Sequence, residues 1–428
     1  MAEIFKIKGG KPLEGELAIS GSKNAALPIV AASILNSGTT TLENVPMIKD
    51  VLHLVEILRM WGAQIQVDEP GHRLVINNSN LKPNSSAEVN ELIRKLRGSI
   101  LLVGPSLAKF NEITVPLPGG DLIGSRPLDS HLEGFGKLGA KLERQGELIR
   151  ISAAQGLIGN KVVLKEISVT ATENLIMAAC LAKGETIIKL AATEPHVQDL
   201  CAFLGKLGVK IEGIGSNILR VQGLAGKPLS LEVRHRLVPD SDQCINLAAL
   251  VAATRSEVIL KDINPELIDA GLYKLEEVGV NFEVESNRLI LHKPSKVYKA
   301  SKYQSGLYPK LMSDQIPPFA VLATQAQGMS LIQEWMYEGR LGYVNELIKM
   351  GANAMILDPH RALIVGPTAL QGAELKSLDI RAGLTAIIAG LVAEGETTIL
   401  DAQIIDRGFE KIDERLRAIG AEIQRITV

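Results

Sequence analysis

A glycine followed by a small apolar residue recurs six times along the chain, about seventy residues apart, and each time opens a strand–turn–strand segment. The copies start at Gly62-Ala63 (GAQIQVDEPGHRLVI), Gly139-Ala140 (GAKLERQGELIRI), Gly208-Val209 (GVKIEGIGSNILRV), Gly279-Val280 (GVNFEVESNRLIL), Gly351-Ala352 (GANAMILDPHRALIV) and Gly420-Ala421 (GAEIQRITV). Each glycine suits the position just past a helix end, where a left-handed φ lets the chain turn back as a strand. The strands alternate apolar and polar residues, as in Ile149-Arg150-Ile151-Ser152, the pattern of a half-buried sheet. A period of this length is too long for a solenoid and suits a small α/β unit.

A second segment recurs upstream of these pairs, a short helix built almost wholly of apolar and small residues. The copies are AALPIVAASILNSG, SILLVGPSLAK, NLIMAACLAKG, INLAALVAATRS, PPFAVLATQAQG and LTAIIAGLVAEG. Helices apolar on every face are buried on every side. Most are followed by a strand and a more polar helix, so the unit reads βαβαββ. Six such units exceed one core, which predicts two domains of three units each. The chain start, IFKIKGGKPLEGEL, is expected to pair with the last unit. Residues 1–22 and 237–428 then form the domain holding both termini, and residues 23–236 form the other, which carries the loop 118–131.

Composition narrows the function. The chain has 428 residues and a formal net charge of −2, which argues against bulk nucleic-acid or anionic-membrane binding. Any anion site must be local. Cys180, Cys201 and Cys244 lie among apolar and small residues without metal-ligand spacing, as expected of buried thiols in a reducing compartment. The N-terminus lacks an apolar signal core and no apolar run reaches membrane-spanning length, so a cytoplasmic protein is expected.

The repeat also sorts the polar residues into two slots. The turn before the apolar helix holds Ser20-Gly21-Ser22-Lys23-Asn24, Arg97-Gly98-Ser99, Ser168-Val169-Thr170, Pro239-Asp240-Ser241-Asp242, Met312-Ser313-Asp314-Gln315 and Asp379-Ile380-Arg381. The loop before the polar helix holds Asp121 to Arg126, Tyr337-Glu338-Gly339-Arg340 and Ile405-Asp406-Arg407-Gly408. Equivalent units put these slots at one end of each domain, where helix N-termini would offer free N–H groups to an anion. Lys23, Arg97, Arg126, Arg340, Arg381 and Arg407 supply cations for phosphates and carboxylates, and Asp121 and Asp314 are the acids placed for proton transfer. Plainer roles compete at each position: a solvated lysine at Lys23, a surface salt bridge at Arg97 in ELIRKLRGS, a helix cap at Asp314, pairing of Arg407 with Asp406 or Glu410, and satisfied structural histidines at His131 and His235.

The motifs SGSKNAALPI (20–29), LRGS (96–99), PGGD…GSRPLDSH (118–131), EGRLGYVNEL (338–347), DIRAG (379–383) and IDRGFEKIDERLRAIGAEI (405–423) resemble those of the enolpyruvyl transferases. Within that family they are similar to the UDP-N-acetylglucosamine 1-carboxyvinyltransferases of peptidoglycan synthesis, and less so to 5-enolpyruvylshikimate-3-phosphate synthase. The resemblance runs nearly end to end. It implies two inside-out α/β barrels of three βαβαββ units each. It also implies transfer of the enolpyruvyl group of phosphoenolpyruvate to the sugar 3′-hydroxyl by addition and elimination, with no metal or organic cofactor. By resemblance Lys23 contacts phosphoenolpyruvate, Arg126 and Arg407 hold its phosphate, Arg340 and Arg381 lie nearer its carboxylate, and Arg97 supports the loop and the anions. Asn24, Pro127, Leu128, Asp129, Ser130, His131, Ser168, Val169, Thr170, Asp314 and Met336 match positions that bind the UDP-sugar. Asp314 matches the aspartate that takes the 3′-hydroxyl proton.

Three departures stand out. Asp121 replaces the loop cysteine of most members, which protonates C3 of phosphoenolpyruvate and is the target of fosfomycin. An aspartate can donate a proton when its pKa is raised but is a poor target for alkylation, so fosfomycin insensitivity is expected. Pro239-Asp240-Ser241-Asp242-Gln243 replaces the more usual Pro-Asp-Arg-Ile-Glu, and Met312-Ser313-Asp314 the more usual Pro-Thr-Asp. These two leave open a different nucleotide-linked acceptor; a separate alternative, a nucleotide-sugar-binding paralogue without catalysis, is opposed by the presence of Asp121, Lys23 and the arginines.

Overall fold

The computed structural model describes residues 3–119 and 123–427. Gly120, Asp121 and Leu122 lie outside the described residues, and with them the proposed loop acid.

The six glycines do the same job six times. Gly62, Gly139, Gly208, Gly279, Gly351 and Gly420 have φ between 89° and 98°, a conformation that costs a residue with a Cβ about 1–2 kcal/mol. The residue after each glycine returns its N–H to a carbonyl of the helix's last turn: Ala63 to Leu58, Ala140 to Phe135, Val209 to Leu204, Val280 to Leu275, Ala352 to Leu347 and Ala421 to Leu416. Both partners of each bond are buried. This apolar clasp closes a helix and aims the next strand.

Among the described residues, six sheets follow from six units. The third unit shows the pattern: Lys161–Val163 runs parallel to Glu185–Lys189, which pairs antiparallel with Ile218–Gln222, which in turn pairs antiparallel with Lys210–Glu212. The second unit departs from it. Its sheet has only Glu112–Pro116, Leu148–Ser152 and Lys141–Gln145, and the helix Ala87–Lys95 occupies the chain ahead of them. Its apolar helix also differs from the sequence reading of SILLVGPSLAK. A 3-10 turn, Arg97–Leu102, leads into a helix over Val103–Phe110. Gly98 and Ser99 favour helix poorly and Pro105 cannot donate to the carbonyl four residues back.

The chain forms two compact units. Among the described residues one comprises 3–20, 123–125 and 239–427, and the other 21–119 and 126–238. Each has its own apolar core. Strands from distant parts of the chain complete three of the sheets. Glu3–Lys8 inserts between Glu396–Leu400 and Glu422–Thr427, with Phe5 opposite both Ile399 and Arg425. Glu14–Ala18 pairs parallel with Glu257–Lys261, and Val233–Arg236 pairs parallel with the strand Thr39–Glu43.

Helices form the middle of each unit. Every residue of Ser241–Ala253 from Asp242 onward is buried, as are Ile380–Leu391 and Ile316–Thr324. The helix Ile316–Gln325 packs against both Ser241–Ala253 and Ile380–Val392. So much Ala and Gly lets the helix axes approach closely. Among the described residues no helix is long and apolar enough to cross a membrane.

Candidate active site

The slot residues sit at the N-terminal ends of these helices, and four of the helix ends are not left open as expected, whereas Ile316–Gln325 and Val103–Phe110 carry no side-chain cap. Ser22 accepts from Ala25 N–H, Ser168 from Ala171 N–H, Asp240 from Gln243 N–H, and Asp379 from the Arg381 and Ala382 N–H groups. Side-chain caps satisfy these donors from within.

In the unit of residues 21–119 and 126–238, Lys23 opens the helix Lys23–Ala32 and its Nζ lies 2.8 Å from Oδ2 of buried Asp50. It is not a solvated lysine, since its side chain is only 13 % exposed. Asp50 sits in the first turn of the helix Lys49–Met60. Asn24 follows Lys23 in the first turn of the helix Lys23–Ala32. Arg97 lies beyond the end of the mixed-charge helix, and its guanidinium donates to the Arg126 carbonyl. The surface ion pairs of that helix are made by Lys95 with Glu91 and Arg94 with Glu147. One arginine thus fixes the backbone that carries the other.

His131 and Ser130 are buried in the first turn of the helix Asp129–Lys137. The Asn174 amide lies 3.0 Å from His131 Nδ1 and donates to it, so Nε2 carries the proton and faces Thr170 Oγ1 at 3.1 Å. Burial first, and the Arg97 charge second, push the imidazole pKa down to about 3. His131 is a neutral donor that orients Thr170. Ser168, Val169 and Thr170 form the capped start of the helix Val169–Ala179. Asp129 is exposed beside Lys165, and Pro127 and Leu128 precede it in the approach to the helix. His235 is structural as well, bonded to Asp199 at 2.9 Å.

In the other unit the slot residues meet. Asp314 lies in the 3-10 turn Ser313–Gln315 and caps nothing. Its Oδ1 accepts from Arg340 Nη2 at 2.7 Å, and its Oδ2 from Arg381 Nε at 2.9 Å. Burial alone would raise the Asp314 carboxyl, but Arg381 and Arg340 overcome that and hold it well below the usual carboxylate range. Both guanidiniums are about 4 % exposed.

Each arginine has further supports. Arg340 donates to Ser313 Oγ, which donates to Glu334, whose other oxygen accepts from the Met336 N–H. Met336 is thereby tied by its backbone to the acid behind Arg340. Arg381 lies 5.2 Å from the Phe409 ring centre and 3.8 Å from Asp242 Oδ2. Arg407 ends the 3-10 turn Ala402–Arg407. Its neighbour Asp406 is held by Arg425 at 2.7 Å. Residues 123–125 belong to this unit too: Ile123 O accepts from Gly339 N–H and Ser125 N–H donates to Glu338.

The polar slots of the sequence hold these cations but not Asp50, which pairs with Lys23, nor Glu334, which supports Arg340 through Ser313, nor Asn174, which orients His131. The signal available was a polar residue inside an otherwise apolar segment, as with Asn174 in NLIMAAC. Among the described residues no group of three or more His, Cys, Asp or Glu could hold a metal ion.

Comparison with known proteins gives this geometry its context. The family model of EPSP synthase (3-phosphoshikimate 1-carboxyvinyltransferase) matches residues 7–416. The chain belongs to this family. Curated relatives named UDP-N-acetylglucosamine 1-carboxyvinyltransferase include one from Bradyrhizobium diazoefficiens, 42% identical over 441 residues and covering 100% of this chain and 99% of its own length. Another, from Sulfurovum sp., is 39% identical over 423 residues, 99% of each chain. Among solved structures, the enolpyruvyl transferase NikO from Streptomyces tendae superposes with a TM-score of 0.88 at 22% identity, covering 100% of this chain and 99% of its own. An EPSP synthase from Acinetobacter baumannii does so at 0.70 and 19% identity, over 100% of both chains. The family members thus share the enolpyruvyl transferase fold of two α/β units, as the resemblance implied.

Proposed function

We infer that this protein is a UDP-N-acetylglucosamine 1-carboxyvinyltransferase: it transfers the enolpyruvyl group of phosphoenolpyruvate to the 3′-hydroxyl of UDP-N-acetylglucosamine and releases phosphate. The observation that carries this reading is identity of about 40% over the whole chain to transferases of that name. Lys23, Arg126 and Arg407 take the phosphate, Arg340 and Arg381 the carboxylate, and Arg97 secures Arg126. Asn24, Pro127–His131, Ser168–Thr170 and Met336 take the nucleotide sugar, with His131 fixing Thr170. No cofactor enters the reaction, and the setting is the cytoplasm.

The chemistry is an addition followed by an elimination. The 3′-oxygen bonds to C2 of phosphoenolpyruvate as its proton passes to Asp314, and C3 takes a proton from Asp121. Loss of a C3 proton then expels phosphate and restores the double bond. In the structure Asp314 is a weak base because two guanidiniums hold it. An incoming carboxylate competes for those guanidiniums and so returns basicity to Asp314 when substrate is present.

The test is phosphate release from phosphoenolpyruvate with UDP-N-acetylglucosamine, with and without fosfomycin. Release that depends on both substrates and survives preincubation with fosfomycin is expected, because a carboxylate at position 121 is a poor nucleophile towards the epoxide. No release would overturn the assignment. Time-dependent inactivation at low fosfomycin concentration would overturn the role given to Asp121.

A further inference from the structure

The least conventional stretch of the sequence, Pro239-Asp240-Ser241-Asp242-Gln243, delivers an extra acid to the site. Asp242 lies in the first turn of the helix Ser241–Ala253 and is 4 % exposed. Arg381 Nη2 sits between two carboxylates, 2.9 Å from Asp314 Oδ2 and 3.8 Å from Asp242 Oδ2. The same helix holds the Asp314 backbone, since Asn246 donates to its carbonyl at 3.1 Å. Asp240 stays occupied as the helix cap.

We propose that Asp242 is a positioning residue that shares Arg381 with Asp314, holding the guanidinium in place and balancing its charge when Asp314 takes up the proton of the acceptor hydroxyl. This rests on the reading of Asp314 as that proton acceptor. A lone Arg381–Asp314 pair would leave a buried cation uncompensated once Asp314 is neutral, which is costly. A second carboxylate behind the guanidinium removes that penalty, and its negative charge makes Asp314 a stronger base.

The titratable and charged groups facing Asp242 are Asp314, Asp240 and Arg381, with the Gln315 amide bonded to it. Burial, then the charges of Asp314 and Asp240, push the Asp242 carboxyl up to about 8 against the pull of Arg381. The two aspartates therefore titrate as a pair. Below that pH Asp242 carries a proton and Asp314 is held as a weak base. Above it Asp242 is charged and Asp314 gains basicity, so turnover rises through the neutral-to-alkaline range.

The experiment compares wild type, Asp242→Asn and Asp242→Glu in phosphate release from pH 6 to 9.5, and in thermal melting without substrates. Wild type should show kcat rising through an apparent ionisation near pH 8. In Asp242→Asn that rise should vanish, lowering kcat at high pH about tenfold with no increase in KM for phosphoenolpyruvate, and Asp242→Glu should restore it at a displaced pH. A raised carboxyl adds stability at low pH that is lost as pH rises through its folded value. The wild-type melting temperature should thus fall towards pH 9 more steeply than that of Asp242→Asn. An Asp242→Asn enzyme with the wild-type pH profile, or one slower by the same factor at every pH with a raised KM, overturns the proposal. Parallel melting curves overturn the shared arginine itself. A wild type that releases no phosphate overturns the functional reading instead, while the melting curves still decide whether Asp242 titrates against Arg381.

Discussion

At the scale of single residues, Asp314 is better placed to be held than to react. Its two guanidinium partners are nearly fully buried, so replacing Asp314 takes away their shared carboxylate and leaves Arg381 to Asp242 and Arg340 to the Ser313–Glu334 relay. Asp314→Asn is expected to lower kcat by about a hundredfold or more while UDP-sugar binding measured by calorimetry persists. Its melting temperature should also fall, because part of the buried ion network is lost. An unchanged rate would remove Asp314 from the mechanism. The same assay with Asp121→Asn separates the two acids. Loss of turnover with normal melting is expected there, and near-normal turnover would end the acid role of Asp121. The cations were legible in the sequence because the repeat put Arg97, Arg381 and Lys23 into one slot and Arg126, Arg340 and Arg407 into the other. Their partners were not. Asp50 and Glu334 lie outside the slots, and only the folded chain brings a carboxylate to Lys23 or a relay to Arg340. Helix caps were misjudged for a related reason. An aspartate at a helix start reads equally as a cap or a free acid, and only geometry shows that Asp240 and Asp379 are caps while Asp314 is not.

At the scale of elements, the repeat rests on one local device, so a single substitution can measure it. At Gly279 (φ 94°) an added Cβ would meet no atom within 4 Å. Gly279→Ala therefore tests the backbone conformation alone and should cost about 1–2 kcal/mol in urea unfolding. Gly104→Ala is the contrast. Its φ is not positive, but a Cβ there would come within 2.3 Å of the Asn174 carbonyl, where the helix Val103–Phe110 meets the helix holding His131 in place. That variant should be destabilised by more than Gly279→Ala and should alter UDP-sugar binding as well. Equal costs would mean that the helix contact yields easily. Local signals of this kind explain why six units could be read from the sequence. They also explain what could not be read. The pairing of Glu14–Ala18 with Glu257–Lys261, and of Val233–Arg236 with Thr39–Glu43, joins residues some two hundred positions apart. No neighbouring residue specifies such a pairing. The 3-10 turn at Arg97–Leu102 escaped because its apolar pattern matches a helix, while Gly98, Ser99 and Pro105 decide its geometry.

At the scale of the whole molecule, two units with separate cores should not answer to pH through the same groups. In the unit of residues 21–119 and 126–238, Glu173 is 1 % exposed and burial, then the charge of Glu194, raises its pKa well above the usual carboxylate value. Glu194 is itself raised, again chiefly by burial. Each is raised on folding, so each adds stability that is complete below the unfolded value and lost as pH climbs through the folded one. His131 acts in the opposite sense. Its folded pKa is depressed, so it costs stability as pH falls from about 6.5 towards 3. In the other unit Asp242 is the raised carboxyl. Calorimetric unfolding should therefore resolve two transitions, each weakening as pH rises through the folded values of its own buried acids, which for Asp242 lies at about 8. Glu173→Gln should flatten the pH dependence of one transition and leave the other unmoved, whereas Asp242→Asn should do the reverse. If either substitution shifted both transitions together at every pH, the two cores would unfold as one cooperative body, and the separate pH responses argued from their buried acids would be wrong.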